Sequence, residues 1–382
     1  MNEIDFELPD HDTFIGAFLT LIALTGEFPA EQVSRLDGSP SYHEKVVVML
    51  KRKKLIRTYY QNGLRGFHLT AAAKRLLASQ EPHHFAALFS GKTVTNAPKY
   101  DAKRRLRHHL MSEVLVTMHN AGVIYLPWEK PGIFKEGEKK PLPVVIERPV
   151  YYTSREIKAI GPRSKTITSS RSTGVLLTDD KILAVFNTSN MEMRWHTEAE
   201  TRLKTLLNEE LCQTRLPRQY RKTEISALML ADNMGQMTAF MYGGRTQKSK
   251  YDILNGVFSH FYYLTNDHAG ELILKTLYDR VLQCTLDSVL SDDLSPRVPD
   301  AGIENDGFDA NGDPVLFGYT CDMPRILRFN NALSEKGGRG TLICFDFQED
   351  ALRSIFGDKV RYQTLDFSVV ERSDIYRQEE TD

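Results

Sequence analysis

The chain has 382 residues, of which 41% are hydrophobic, and this is enough for the cores of two to three domains of ~100–200 residues each. Its 49 Lys and Arg nearly balance its 50 Asp and Glu, so the net charge of −1 neither favours nor excludes a nucleic-acid partner. No apolar run approaches the ~18–20 residues of a membrane helix, and the start lacks a signal-peptide pattern. We therefore predict no membrane partner and a cytoplasmic location.

The cysteines indicate neither a metal centre nor a disulfide framework. They are widely separated and form no CxxC or Cys/His cluster, so we expect buried free thiols and predict no metal site and no cofactor. Their positions are Cys212, Cys284, Cys321 and Cys344.

The chain opens with an acidic leader, residues 1–13, followed by a strongly apolar helix. That helix begins at Phe14 and ends at Gly26, because glycine adopts the left-handed conformation that terminates a helix. Residues 1–31 contain no Lys or Arg. A solvated tail explains this leader most simply, and an arm that competes with DNA for a basic face is the alternative.

Two further helices are predicted next. Pro29 suits the first turn of a short second helix over residues 30–36. Either Ser39 or Ser41 can cap a third helix that continues to about Lys53. This third helix is the candidate recognition helix.

A hairpin and a closing helix complete the segment. Residues 55–60 and 65–69 are rich in β-branched and aromatic residues and are joined by an Asn-Gly turn, which predicts two antiparallel strands. Thr70 can cap the closing helix. This order and these lengths are typical of a winged helix-turn-helix, which we predict for residues 14–92.

Basic residues are concentrated between Arg35 and Leu110. That interval holds 16 Lys and Arg against four Asp and Glu, a net charge of +12. Such a concentration is the electrostatic footprint of a phosphate-binding face, so we predict double-stranded DNA as the partner. A protein-interaction module with a solvated basic face is the alternative interpretation.

The winged-helix arrangement assigns DNA contacts to particular residues. Tyr42 and Lys45, near the start of the recognition helix, should reach base edges, and the basic residues that follow should contact phosphates. The complete candidate set is Ser41, Tyr42, Lys45, Lys51, Arg52, Lys53, Lys54, Arg57, Arg65, Arg104 and Arg105.

A basic helix with its connections is predicted over residues 93–126. The adjacent His108 and His109 point to different faces of this helix, which argues against a shared metal ion and favours packing or DNA-facing roles. Residues 127–149 are rich in Pro, Gly, Lys and Glu, so we predict an exposed loop or linker there.

Residues 150–370 are predicted to form a mixed α/β domain, followed by a charged tail at 371–382. Two apolar runs joined by Asp179 and Asp180 indicate a hairpin, and a helix should follow at about residues 198–211. Later strands are predicted at 226–230, 258–264, 315–319, 342–347 and 362–367, with helices beginning near Asn233, His268, Asp322 and Glu349 and an acidic loop at 292–313.

This succession resembles the replication-relaxation family of plasmids and integrative elements. The resemblance is carried by the winged-helix segment, by a basic helix with Arg107-His108-His109-Leu110, and by an α/β domain that opens with Arg171-Ser172-Thr173-Gly174-Val175-Leu176-Leu177. It implies a role in element replication or conjugative transfer, with relaxase or replication proteins as partners. It also implies a restriction-endonuclease-type fold for the second domain.

A nuclease of that fold needs two carboxylates for Mg²⁺ and a nearby lysine. Asp179 or Asp180 offers the first acid, but the following strand has neither carboxylate nor lysine. A Glu-x-Lys pattern occurs at Glu156 and Lys158, but it precedes the hairpin. We therefore predict no catalytic residues and a catalytically silent scaffold.

Three function classes follow from these observations. The first is a DNA-binding protein of a mobile element, acting in replication, conjugation or their regulation. The second is a winged-helix transcriptional regulator whose α/β domain senses a small molecule through an apolar pocket. The third, which we rank lowest, is a Mg²⁺-dependent DNA nuclease. A homodimer is possible in this scheme. Palindromic DNA sites would demand one, but no heptad segment in the sequence indicates it.

Overall fold

The structure is a computed structural model and describes residues 6–91, 93, 95–96, 101–137, 141–191, 193, 195–242, 256–297, 302–357 and 359–377. Its class is mixed α+β, as predicted. The chain divides into two compact units. The N-terminal unit extends to Asn120 and includes Ile124–Lys130, and the C-terminal unit contains Ala121–Val123 and the chain from Pro131 onwards. Among the described helices, none is both long and apolar enough to cross a bilayer.

The N-terminal unit contains the predicted order of helices and strands. Its elements are α1 (Phe14–Thr25), β1 (Phe28–Pro29), a 3₁₀ helix (Ala30–Arg35), α2 (Pro40–Arg52), β2 (Ile56–Gln61), β3 (Leu64–Leu69), α3 (Ala71–Gln80), α4 (Pro82–Phe85) and α5 (Ala102–Asn120). The first five residues of the leader, and Lys92 and Lys99 of the basic interval, lie outside the described residues.

Helix α1 is the central helix of this unit because it is apolar on almost every face. Thr13 caps its start, and Gly26, with φ of 82°, ends it in the left-handed conformation. Phe18 packs edge-on against Phe28 and Phe67, with ring centroids 5.3 and 5.6 Å away. These contacts fix the sheet against α1.

The predicted second helix is a 3₁₀ helix and not an α-helix. It spans only six residues, and Pro29 at its N-cap provides no side-chain hydrogen bond. Such a short segment falls below the length at which an α-helix is stable, and the 3₁₀ form is common in connectors. Helix α2 then begins at Pro40, and its cap is Ser39, whose Oγ accepts a hydrogen bond from the Tyr42 amide at 3.3 Å.

The sheet of this unit has the order β1–β3–β2 and is antiparallel. The Asn-Gly turn forms as predicted, with φ of 55° at Asn62 and 77° at Gly63. This turn sets the register of the hairpin, which pairs Arg57 with His68 and Tyr60 with Arg65. Thr70 caps α3 by accepting a hydrogen bond from the Ala73 amide.

The C-terminal unit contains two sheets, with helices between their strands. Its elements are β4 (Val150–Thr153), α6 (Ser154–Ile157), 3₁₀ helices (Lys158–Ile160 and Pro162–Ile167), β5 (Gly174–Leu177), β6 (Ile182–Ser189), α7 (Thr197–Leu207), a π-helix (Asn208–Arg215), α8 (Pro217–Tyr220), β7 (Ile225–Ala231), α9 (Met234–Tyr242), β8 (Phe261–Thr265), α10 (His268–Tyr278), α11 (Arg280–Ser291), β9 (Ser295–Pro296), β10 (Gly307–Phe308), β11 (Pro314–Phe317), α12 (Met323–Lys336), β12 (Gly340–Phe345), α13 (Asp346–Phe356), β13 (Val360–Leu365), α14 (Phe367–Glu371) and α15 (Asp374–Arg377).

The first sheet has the order β4–β5–β6–β7–β8. Strands β4, β5 and β6 are antiparallel neighbours, so the predicted hairpin around Asp179 and Asp180 is confirmed. Strands β7 and β8 continue the sheet in parallel to β6. Every residue of β6 and β7 is buried, as expected of strands covered on both faces.

The second sheet has the order β13–β12–β11–β10–β9. Strands β11, β12 and β13 are parallel, while β10 pairs antiparallel with both β9 and β11. The acidic loop predicted at 292–313 therefore contains the short strands β9 and β10, and residues 298–301 of it lie outside the described residues. The predicted tail is helical in its described part, through α15.

The predicted linker at 127–149 is not simply exposed. Its described residues form no helix or strand, yet Ile133, Phe134 and Ile146 are buried. Arg215 donates hydrogen bonds to the carbonyls of Ile133 and Lys135. From Pro131 onwards this segment is therefore part of the C-terminal unit.

Candidate nucleic-acid interface

Helix α2 presents one continuous exposed stripe. Its inner side is formed by the buried His43, Val46 and Leu50. The outer stripe repeats at intervals of four, three and four residues, which places its members on one face of the helix. These exposed residues are Ser41, Lys45, Val48 and Arg52.

Lys51 connects this helix to the hairpin. Its Nζ lies 5.2 Å from the centre of the Phe67 ring on β3. Partial burial, and after it the positive charge of Arg65, lowers the pKa of Lys51. The effect of Arg65 shows that two cations from different elements share one region of the surface.

The two faces of the hairpin differ because side chains of a strand alternate between faces. We call the face toward α2 the outer face, and it consists of Thr58, Tyr60, Arg65 and Phe67. We call the other one the inner face, and it consists of Arg57, Tyr59, Gly66 and His68.

The outer face adds an aromatic ring and a cation to the stripe of α2. Tyr60 is 70% exposed and pairs directly with Arg65, which is also exposed. Tyr42 of α2 is 43% exposed, and its ring lies 5.6 Å from that of Phe14. Exposed apolar groups and cations therefore share this surface with one exposed carboxylate of α2, Glu44.

Lys53 and Lys54 lie at the end of α2. Both are exposed, and the Lys53 Nζ lies 5.6 Å from the centre of the Phe6 ring. Lys54 has a positive φ of 56°, and its carbonyl accepts a hydrogen bond from the Thr70 hydroxyl. The turn between α2 and β2 thus directs two cations into solvent.

Arg57 does not share a face with Arg65, although both were predicted to contact the same DNA surface. Arg57 pairs with His68 and so belongs to the inner face. A strand alternates its side chains, so Arg57 and Tyr60, three residues apart, point to opposite sides. We therefore place Arg57 outside the surface formed by α2 and the outer face.

Arg105 is the clearest correction to the predicted set. Its side chain is 1% exposed, and its Nε donates a hydrogen bond of 2.9 Å to the Glu27 carboxylate. Its other nitrogens donate to the carbonyls of Gln61 and Leu64, on either side of the hairpin turn. This guanidinium anchors the hairpin from within and is not available to a phosphate.

Glu27 is surrounded by donors from α5 and β3. His109 Nε2 donates to it at 2.9 Å, and His68 Nε2 lies 3.3 Å away. Burial by itself would raise the pKa of Glu27, but His109, His68 and Arg105 outweigh burial and hold that pKa well below its usual range. Glu27 is therefore an ionised carboxylate inside the N-terminal unit.

Sequence reasoning missed this cluster because Glu27 looked like one more acid of residues 1–31, which contain no Lys or Arg. A signal was present on α5, where Arg105, His109 and Ser112 are spaced by four and three residues on one face. The Ser112 hydroxyl donates to the Glu27 carbonyl at 3.0 Å. Such a polar stripe on a buried helix indicates a buried polar partner.

The other residues that were predicted to act from the basic helix are likewise partly exposed and partly buried. Arg104 is exposed in the first turn of α5. His108 and His109 are buried, and His108 bonds to the Thr25 carbonyl, so packing is their role. Within the described parts of the chain, no group of three or more His, Cys, Asp or Glu could hold a metal ion.

The carboxylates considered for a nuclease do not come together. Asp179 and Asp180 follow β5, whereas Glu156 follows β4, which runs antiparallel to β5. The two groups consequently lie at opposite ends of these strands. Glu156 is also engaged locally, since its Oε2 accepts hydrogen bonds from the amide and hydroxyl of Thr153.

A cavity of about 1130 Å³ in the C-terminal unit bears on the ligand-sensing alternative. Its lining includes the basic side chains Arg218, Arg221 and Lys222 together with several amides. The regulator hypothesis predicts an apolar pocket with a few convergent polar groups. This cavity does not favour that hypothesis.

The residues that favour nucleic acid therefore lie on α2 and the outer face of the hairpin. Their assignment comes from the geometry and charge of this chain alone. Comparisons with protein-family models, with curated proteins and with solved structures found no match.

Proposed function

We propose that the N-terminal unit binds double-stranded DNA as a winged helix-turn-helix, with α2 as the recognition helix and the β2–β3 hairpin as the wing. One observation carries the proposal. The large hydrophobic side chains that are exposed among the described residues of this unit, Tyr42, Val48 and Tyr60, all lie on α2 and β2, between basic residues. Apolar groups exposed among cations suit the grooves and backbone of a duplex.

The exposed stripe of α2 has the chemistry that base readout requires. Lys45 can donate to guanine, Ser41 can donate or accept, and the methyl groups of Val48 can contact the thymine methyl. Helix α2 has 13 residues, and only its inner side is covered by the core. Its outer side is thus suited to enter a major groove.

The flanking cations suit the phosphate backbone. Arg52, Lys53 and Lys54 extend from the end of α2, while Lys51 and Arg65 join the helix to the wing. Phosphate contacts of this kind supply most of the affinity and fix the protein on the duplex. Two neighbouring cations such as Lys51 and Arg65 repel one another until an anion lies between them.

We also propose that the C-terminal unit is a non-catalytic scaffold serving replication or conjugative transfer of a mobile element, in contact with relaxase or replication proteins. The order of its first sheet, an antiparallel set β4–β5–β6 continued by parallel strands, is compatible with a restriction-endonuclease-type fold. The absence of an acid-x-Lys pattern on β6 supports the lack of cleavage.

Fluorescence anisotropy with a 30-base-pair duplex tests the DNA proposal. Arg52→Glu and Arg65→Glu should each weaken binding at least about tenfold. Each should also lower the slope of log affinity against log salt by about 0.9 or more for every phosphate that the variant leaves without a cation. Lys165→Glu is the matched control, because Lys165 is exposed in the C-terminal unit.

Two results would contradict the proposal. The first is a wild-type chain that ignores duplex DNA even at low salt. The second is an unchanged salt dependence in both charge-reversal variants, which would mean that another surface binds the duplex. If neither result is obtained, sequencing of the genomic and plasmid fragments that the wild type retains would identify any preferred site.

A further inference from the structure

A cleft of about 770 Å³ opens in the N-terminal unit between the inner face of the hairpin and helix α3. It lies on the opposite side of the hairpin from the proposed DNA surface, because Arg57 and His68 line it while Tyr60 and Arg65 point away. Its volume is within the usual range for small-molecule sites, roughly 300–1,000 Å³.

The cleft is lined by cations. Arg57, Lys74 and Arg75 contribute to its wall, and no aspartate or glutamate is among its described lining residues. The Lys74 Nζ donates hydrogen bonds of 2.6 and 3.3 Å to the carbonyls of Asn96 and Thr95, which hold it in place. Burial, and then the charge of Arg57, lowers the pKa of Lys74.

A buried histidine adds an independent observation. His68 is 2% exposed and lines the cleft, and its Nδ1 has no hydrogen-bond partner among the described residues. Its Nε2 lies 3.3 Å from the Glu27 carboxylate, on the side of the ring away from Nδ1. A buried ring nitrogen without a hydrogen-bond partner is costly, so a ligand that bonds to it is favoured.

The start of helix α3 and an apolar wall complete the cleft. Thr70 and Ala71, the cap and first residue of this helix, line it, and the amide groups of a helix start attract anions. Phe89 and Ala78 provide apolar surface beside the cations. The cleft thus combines an anion-binding end with room for an apolar body.

We propose that this cleft binds a phosphate group, held by Arg57, Arg75, Lys74 and the Nδ1 of His68. The phosphate belongs either to a small molecule with an apolar or aromatic body or to the DNA backbone. Both sources share the same chemistry, and the experiment below distinguishes them. The inference does not depend on the proposed DNA-binding function, because the site is defined by the inner face of the hairpin.

Isothermal titration calorimetry of the full chain tests the site, with phenyl phosphate as the probe and phenol as the compound that lacks the phosphate. Phenyl phosphate should bind and phenol should not. Arg57→Gln and Arg75→Gln should each weaken phenyl phosphate binding roughly tenfold, since each removes charge-assisted hydrogen bonds. Lys165→Gln, which changes an exposed cation of the C-terminal unit, is the matched control and should leave this binding unchanged; Arg65→Gln, on the outer face of the hairpin, is added for the DNA-binding assay.

The DNA-binding assay with the same variants identifies the source of the phosphate. If a small molecule supplies it, Arg57→Gln leaves duplex affinity unchanged while Arg65→Gln lowers it. If the backbone supplies it, Arg57→Gln lowers duplex affinity and phenyl phosphate competes with DNA. Either result supports the site.

The proposal is overturned if phenyl phosphate does not bind, or if both cleft variants, shown by thermal melting to be folded, bind it as the wild type does. A wild-type chain that fails to bind DNA but still binds phenyl phosphate would contradict the proposed function and support this site.

Discussion

The two faces of the β2–β3 hairpin use the same kinds of residue for opposite purposes. On the outer face, Arg65 and Tyr60 are exposed beside Lys51. On the inner face, the buried Arg105 guanidinium lies 4.5 Å from the centre of the Tyr59 ring. The same guanidinium binds Glu27. The basic interval between Arg35 and Leu110 therefore contains both exposed cations and buried ones that hold the fold together.

This difference teaches how a charged hairpin is held in place. A surface of repelling cations needs a rigid support, and here the support is itself ionic. Arg105 bonds to both ends of the hairpin turn and to Glu27, so it links the hairpin to β1 and α5. Because we propose that the exposed cations contact DNA whereas Arg105 anchors the hairpin, substitutions should affect DNA binding and stability differently.

Replacing Arg105 by Met should give the largest effect, because it leaves Glu27 buried without its guanidinium. Removing one partner of a buried ion pair typically lowers the free energy of unfolding by about 3–5 kcal/mol. In a Trp195→Phe background, Trp128, which stacks on His84 at 4.3 Å, reports urea unfolding of the N-terminal unit. A loss below about 1 kcal/mol, the value of an exposed pair, would contradict the anchoring role.

Gly66→Ala should give the next largest effect. A Cβ at this position would lie 2.7 Å from the Glu27 Cγ, too close for the side chain to keep its place. Overpacking of this kind costs about 1–3 kcal/mol. The same measurement in a Glu27→Ala background checks the cause, since the penalty should shrink there; an undiminished penalty would point to strain elsewhere.

The acid stability of the N-terminal unit should depend on Glu27. Its pKa is lowered in the folded state, so the ionised carboxylate stabilises the fold above the unfolded value of 4.5 and this contribution is lost as the pH falls below it. As the pH falls from 6 to 3, the unfolding free energy of the wild type should therefore drop, relative to that of Glu27→Gln, by at least about 1.4 kcal/mol. This amount corresponds to one pKa unit. A difference that is constant with pH would contradict this interpretation. Arg105, His109 and His68 are the charged or titratable groups that face Glu27.

Arg65→Gln should change stability least. Arg65 is exposed and its charge opposes that of Lys51, so the unfolding free energy should stay within about 0.5 kcal/mol of the wild type. Duplex affinity should nevertheless fall. If stability fell by as much as in Arg105→Met, the two faces would not have the separate roles that we assign to them.

Most elements could be predicted because their signals are local. The caps Thr13 and Thr70, the end of α1 at Gly26 and the Asn-Gly turn each act within a few residues. Strand β4 was missed, because four residues give little periodicity and their pairing with β5 joins residues more than 20 apart. Helix α11 was also missed, although its inner Leu282 and Leu286 are buried.

The candidate site was predictable to a similar extent. The helical period already places Ser41, Lys45 and Arg52 on one face, and the position of the turn determines the pairing of Tyr60 with Arg65. The exposure of Val48 and the burial of His108 could not be obtained in this way. They depend on which face of each helix the rest of the unit covers.

The sequence by itself determined the order of helices, the hairpin register and the +12 charge of the basic interval, since all of these depend on residues near one another in the chain. Only the tertiary structure decided which cations stay in water. Arg105 is buried because Glu27, 78 residues earlier, meets it in the interior. Arg57 lines a cleft because α3 packs beside the inner face of the hairpin. The burial of a charge is decided by its distant partners, and no local pattern contains them.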